Sequence, residues 1–470
     1  MLRASEVCEK AGYPTSSLVC EGFLTQAAAT SVGLGMPNLP VATIVGHPGT
    51  QTVEEVHRNV FAVTAAEVIA NLTVQPDVIL LEDEPAPRDI VFTGTFEEVE
   101  EHFYAQEWSD GLPIVPPTMD KIEKFLSFTD RKPDDVLGIV LPASRAVTVW
   151  ATAVNGVLAG CKPEYMPILI ALAEAMCDPI YGVEHSGNTP GAETLIVLNG
   201  PIIKQLGFNY EQGALRDGFK PNTSVGRFWR LALRNMAGFL LHKTDKGTFG
   251  NTFRVVLAEN EDALARIGWP SNAEDMGFKT GDNTVTITRM TGGDVMPSVT
   301  GATPELLMPY LADGVAKETG WEISFTVGGL THGTLRPALV ISPILAETIA
   351  KAGWTKARVK QYLYDHARMP AWRCEVLMEK WTEFKITNLK HQVNLGKLSR
   401  DFAESDDPNR MVPIVTDPDD FMVLVSGDPL RTNAYAFAHN GYLGFPVAKQ
   451  IALPEGWEER IGTRPPVAKS

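Results

Sequence analysis

Leu195-Ile-Val-Leu-Asn-Gly-Pro-Ile202 and Ala338-Leu-Val-Ile-Ser-Pro-Ile344 read as one passage written twice. Each is a short apolar run that stops at a polar residue and then at Pro-Ile. That pattern predicts a buried strand leading into a helix. Gly207-Phe208 follows the first passage and Gly353-Trp354 the second, and glycine suits the left-handed close of a helix. Upstream the pairing continues. Ala159-Gly-Cys-Lys-Pro-Glu-Tyr-Met-Pro167 leads into an apolar helix over Ile168–Met176. Thr300-Gly-Ala-Thr-Pro-Glu-Leu-Leu-Met308 leads into another over Pro309–Ala316. Gly160, Pro163 and Glu164 match Gly301, Pro304 and Glu305 at one offset. Gly-x-x-Pro-Glu alone is a common helix opening, since proline suits the first turn and glutamate the helix dipole. Two matched blocks in one order point instead to a duplication. The large region is therefore expected to be α/β with a pseudo-twofold internal duplication, one unit over 90–290 and the other over 291–470. Between such units a cleft is expected, where ligand sites concentrate.

Toward the N-terminus the chain alternates helix and strand. Ala4–Ala11 reads as helix, Thr15–Cys20 as strand, Phe23–Leu34 as helix, Val41–Val45 as strand and Val53–Ala70 as a long helix. Alternation of this kind predicts a parallel sheet covered by helices, here an α/β unit over 1–85. Glu82-Asp-Glu-Pro-Ala-Pro-Arg88 has the charge and proline content of a linker. Beyond it, Glu97, Glu98, Glu100 and Glu101 mark the opening turns of a helix over Thr95–Gln106. Ser109-Asp-Gly-Leu-Pro-Ile-Val-Pro-Pro-Thr118 holds too many prolines for regular structure.

Composition sets the outer limits. With 470 residues the chain needs several domains, and 44% apolar and 21% charged residues are ordinary for a globular protein. A net charge of −16 and no basic cluster argue against nucleic acid and anionic membrane as partners. The longest apolar run, Met166–Met176, is too short to span a bilayer, and the N-terminus lacks an apolar signal core. Five cysteines without a CxxC pair predict free thiols in a reducing, cytoplasmic compartment and no zinc site. Phosphate-loop, dinucleotide, nucleophile-elbow and metalloprotease motifs are missing, so the cofactor stays open.

Several residues could carry chemistry. Cys20 ends a predicted strand, where α/β sheets place ligands, and His47 follows the next strand and could move a proton. Cys161 precedes Lys162 at a predicted helix start, so dipole and cation would both favour its thiolate. For each thiol the alternative is a small buried apolar residue. Asn155-Gly156 and Asn199-Gly200 read as polar turns whose N–H groups could hold a carboxylate or an oxyanion, although Asn-Gly is also a common plain turn. Glu184 and His185 form a polar loop suited to proton transfer. Asn433, Tyr435, His439 and Asn440 form a second polar loop, after the strand-like Phe421–Ser426.

Ala11-Gly-Tyr-Pro14, Leu18-Val-Cys20, Ser31-Val-Gly-Leu-Gly-Met-Pro37 and Ile44-Val-Gly-His-Pro48, in this order, resemble the UGSC-type proteins. They are similar also to the selenoprotein B subunits of glycine, sarcosine and betaine reductases. The resemblance covers about the first 80 residues and implies an alternating α/β domain and thiol or selenol chemistry. In those families a selenocysteine or cysteine sits in a U/C-Gly-Ser/Thr-Cys motif upstream of the first helix, and no such motif stands here. The resemblance thus implies a separate thiol- or selenol-containing subunit in a hetero-oligomer, or redox chemistry that has been lost. The DGLPIVPPT and AGCKPEYMP stretches resemble large bacterial proteins linked to UGSC domains. The expectation is an enzyme or enzyme subunit, homo-oligomeric, that cleaves or forms a carbon–heteroatom bond in a small polar metabolite through thiol-linked chemistry. A hydrolase or hydro-lyase using His, Glu and Asn, and a scaffold for a redox partner, are the alternatives.

Overall fold

The computed structural model describes residues 2–74, 86–141, 144–251, 255–319, 335–376, 389–439 and 444–462. In the N-terminal unit, helix α1 (Leu2–Lys10) precedes strand β1 (Ser17–Cys20). A 3-10 turn over Glu21–Phe23 then runs into α2 (Leu24–Gly33), and β2 (Val41–Ile44) follows. The strands pair in parallel, Ser17 opposite Val41 and Cys20 opposite Ile44, as the alternation predicts. Thr52 and Glu55 form a capping box that starts α3 (Val53–Asn59). A π-helical turn over Val60–Thr64 carries α3 into α4 (Ala65–Thr73).

The face that this long helix turns toward the sheet is polar. Thr43 N–H donates to Glu67 (2.6 Å), Thr64 Oγ1 donates to Thr43 C=O (2.6 Å) and Asn71 Nδ2 donates to Val41 C=O (2.8 Å). Those bonds satisfy the free edge of β2, which is how an exposed strand edge is protected.

In the larger region, Trp150 Nε1 donates to Pro87 C=O (2.8 Å) and Arg88 stacks on the Trp150 ring. Helix α5 (Phe96–Ala105) opens on a Thr95–Glu98 capping box. Helix α6 (Met119–Leu126), the antiparallel pair β3 (Val136–Val140) and β4 (Arg145–Thr148), α7 (Val149–Leu158) and α8 (Met166–Met176) follow. The central sheet then takes β5 (Glu193–Asn199), β6 (Val256–Ala258), β7 (Thr284–Met296) and β8 (Ala338–Ile341). Beyond a small antiparallel pair, β9 (Arg368–Pro370) and β10 (Met411–Pro413), it adds β11 (Met422–Val425), β12 (Ala434–His439) and β13 (Val447–Gln450). Between β5 and β8 lie α9 (Ile202–Leu206), α10 (Lys220–Asn235), α11 (Glu261–Ile267), α12 (Asn272–Asp275) and α13 (Pro304–Thr319).

Strand order is β11-β8-β12-β7-β5-β6, with β13 also on β7. β5 pairs in parallel with β6 and antiparallel with β7; β8 pairs in parallel with β11 and antiparallel with β12. The two sets join where β7 meets β12. β7 runs through the expected boundary at 290/291, and Val447, Ile451 and Trp457 return to the core of the first half. The halves therefore share one sheet rather than facing each other across a cleft.

The sheet curls until its ends touch: Asn260 N–H donates to Val425 C=O (2.7 Å) and Ser426 Oγ donates to Ala258 C=O (2.8 Å). Alternate strand residues face opposite ways. Leu195, Val197, Ala338, Val340, Leu424 and Phe437 pack together inside the curl. Ile196 and Leu198 face the helices of the first half, and Leu339 and Ile341 those of the second. A strand buried on both faces reads as an unbroken apolar run, which is why these two passages stand out.

Two local expectations are corrected. Asn155-Gly156 is not a turn but lies inside α7, with Gly156 serving close packing: a Cβ there would sit 2.6 Å from Leu169 Cδ1 and 2.8 Å from Phe125 Cε1. The segment holding Tyr435 and His439 is not a loop but β12, in the middle of the sheet.

Candidate functional site

Parallel register carries Cys20 and the turn after β2 to the same end of the N-terminal sheet. Cys20 is half-buried, pairs with Ile44, and stands directly before the 3-10 turn that runs into α2. On the β2 side, Gly46 takes φ +68, a conformation that favours glycine, and its N–H donates to Glu21 (3.1 Å). Gln51 Nε2 donates to Val45 C=O (3.1 Å). Glu21, next to Cys20, and Gln51 thus clamp the turn that presents His47. The His47 side chain is exposed, and its carbonyl accepts from Thr50 N–H (3.0 Å). The result is a thiol and an imidazole on neighbouring strand ends, in the position where open α/β sheets bind ligands.

Cys161 is placed otherwise than its sequence neighbours suggest. It is 9% exposed, and burial pushes its thiol up to about 12 against a hydrogen bond from Ser224 and the charges of Lys220 and Arg227. Lys162 lies 4.0 Å from Glu164. Desolvation outweighs the helix terminus, so a partly ionised Cys161 is not what this fold holds. Burial likewise raises Cys177 and Cys374 to about 12, whereas Cys8 is exposed on α1.

The remaining sequence candidates are scattered. Glu184 and His185 occupy a 3-10 turn, where Arg3 of α1 reaches Glu184 (3.4 Å). The His185 side chain reaches solvent at its rim, yet partial desolvation, with Arg289 and Arg3, holds it below the usual imidazole range against the pull of Glu184. Asn155 is buried and clamps α7 to α10, accepting from Asn235 Nδ2 (2.8 Å). His439 is buried in β12, its Nδ1 accepting from Arg336 N–H (3.1 Å). Asn440 lies outside the described residues.

Asn199 is fully buried, its Nδ2 donating to Glu259 (2.7 Å) and Glu261 (3.1 Å), and Gly200 N–H donates to Glu261 (2.9 Å). The donors expected to hold a substrate are already used. Glu259, which sequence reasoning passed over, centres this cluster. It is 1% exposed, accepts from Asn272 N–H (2.7 Å) and Val425 N–H (3.3 Å), and burial raises its pKa against the pull of Lys356. The signal available was a Glu-Asn-Glu directly after an apolar strand.

Among the described residues no group of His, Cys, Asp and Glu is arranged to hold a metal ion, and no helix is long and apolar enough to cross a membrane. A surface depression of about 90 Å³, lined among others by Asp130, Arg131, Pro167 and Glu174, contains none of the candidate residues.

No curated protein and no solved structure matches the chain. Residues 2–74 match the model of the UGSC family. The N-terminal unit, the one that carries Cys20 and His47, is UGSC-like.

Proposed function

We propose that the chain is an enzyme or enzyme subunit that breaks or makes a carbon–heteroatom bond in a small polar molecule, with Cys20 as nucleophile and His47 as proton carrier. The observation behind this reading is the parallel register that sets Cys20 beside the end of β2, three residues before His47, within the segment that matches the UGSC family. Cys20 stands directly before the 3-10 turn over Glu21–Phe23 that leads into α2. In the step envisaged, the Cys20 sulfur bonds to the electrophilic carbon as the carbon–heteroatom bond breaks. The leaving heteroatom takes a proton from His47. Water or a second thiol then displaces the enzyme sulfur and returns a proton to His47. A separate thiol- or selenol-bearing subunit would serve as that second thiol.

The test is turnover of small polar electrophiles by the full chain, with and without added thiol, in wild type, Cys20→Ser, His47→Gln and Cys161→Ser. Cys20→Ser should lose activity by orders of magnitude and His47→Gln by roughly a hundredfold or more, while Cys161→Ser keeps turnover per folded molecule. Full activity in Cys20→Ser would sink the assignment.

A further inference from the structure

An exposed histidine on a turn ordinarily samples several rotamers, and a proton carrier loses rate when its ring is misplaced. His47 is exposed, yet its backbone and its ring are both restricted. Its backbone is extended, at φ −116 and ψ 109, as a following proline favours. Pro48 is that proline, and it opens a 3-10 turn over Pro48–Thr50. The His47 carbonyl accepts from Thr50 N–H (3.0 Å) and from Thr50 Oγ1 (3.1 Å). On the other side Gly46 N–H is held by Glu21, the residue after Cys20. The main chain that carries the imidazole is thus tied to the strand that carries the thiol.

Gly49 restricts the ring. A Cβ at this position would stand 3.2 Å from His47 Cε1 and 3.3 Å from Nδ1. Both distances are inside the separation of about 3.5–4.0 Å that favours carbon contacts. Nε2 is beyond 4 Å of the same point. The imidazole therefore rests its Nδ1–Cε1 edge on the bare backbone of Gly49 and turns Nε2 away. Gly49 is not needed for its conformation, because its φ lies outside the left-handed region. What the histidine uses is the missing side chain.

We propose that Gly49 is a positioning residue, seating the His47 imidazole so that Nε2 carries the proton in the reaction at Cys20. This inference rests on the reading of His47 as proton carrier. Alanine at 49 keeps the turn but pushes the ring by a few tenths of an ångström or into another rotamer. An exposed side chain makes that move without disturbing the fold.

Two measurements on the full chain test the seat. With histidine and glycine labelled, a nuclear Overhauser effect should join His47 Hε1 to the Gly49 α protons, and it should be missing from His47→Gln. This reading needs no change at 49, so it holds even if alanine unsettles the turn. In Gly49→Ala the His47 Hε1 resonance should move while the unfolding midpoint stays. Its kcat should fall roughly tenfold to a hundredfold, with KM nearly unchanged, because ring placement matters in the transition state rather than in binding. Absence of the Overhauser effect in wild type overturns the proposal. So does wild-type kcat in Gly49→Ala when His47→Gln is inactive, and in both cases the chemistry at Cys20 is untouched. Full activity in His47→Gln instead removes the proton carrier itself, and the role of Gly49 with it.

Discussion

Burial separates the five thiols. Cys161 and Cys374 are enclosed in the cores and Cys177 lies against one, and desolvation holds all three well above the range in which a thiol ionises at neutral pH. Sequence gave Cys161 the better local neighbours, a lysine and a helix start, and these were legible. What it did not show was the wall of side chains from α7 and α10 that removes water, a tertiary effect larger than the local ones. Glu259 is the converse case, a carboxylate kept inside the curl because Asn199, Asn272 and Val425 donate to it. Burial raises its folded pKa above the ordinary 4.5, so the fold prefers the protonated form. The sign follows by linkage: its ionisation weakens the fold at neutral pH, and that penalty is lifted as pH falls through the folded pKa toward 4.5. Urea midpoints of wild type and Glu259→Gln between neutral pH and pH 4.5 should show wild type gaining relative to the variant as pH falls. A difference that moves the other way would mean that the carboxylate is held ionised by Lys356.

Elements were read with better success where the pattern was local. The parallel strands of the N-terminal unit, the capped helix after Thr95 and the two apolar passages at Leu195 and Ala338 all form as expected. Each depends on signals within a few residues. The failures share one cause. Asn155-Gly156 has the letters of a turn, but Gly156 is glycine because α8 and α6 press against it. Alanine at 156 would improve helix propensity by about 1 kcal/mol, whereas forcing a methyl against Leu169 and Phe125 costs about 1–3 kcal/mol. Gly156→Ala should therefore destabilise the fold by up to about 2 kcal/mol after the two terms offset, and lower the unfolding midpoint accordingly. An unchanged or raised melting temperature would show that α7 has room to spare and that the glycine marks something other than packing.

At the scale of the whole molecule, the sheet repeats one pairing scheme on either side of the β7–β12 junction: a strand parallel to its outer neighbour and antiparallel to its inner one. The matched passages lie at β5 and β8, corresponding places in that scheme, which supports the proposal that the region arose by duplication. The chain then crosses back, since β13 and Trp457 complete the first half, and no sequence periodicity announced that return. The large body is thus closed on itself. The UGSC-like unit in front of it keeps an accessible thiol and an imidazole at one sheet end and an apolar helix face outside. The proposed chemistry belongs to that unit. The most direct test is limited alkylation of the native full-length chain with iodoacetamide at neutral pH, mapped by mass spectrometry over all five cysteines. Cys20 should be modified first, ahead of the exposed Cys8. Cys161 and Cys374 should react only after unfolding, and His47→Gln should slow Cys20 alone. Modification of Cys161 in the folded protein, or a Cys20 slower than Cys8, would contradict the assignment.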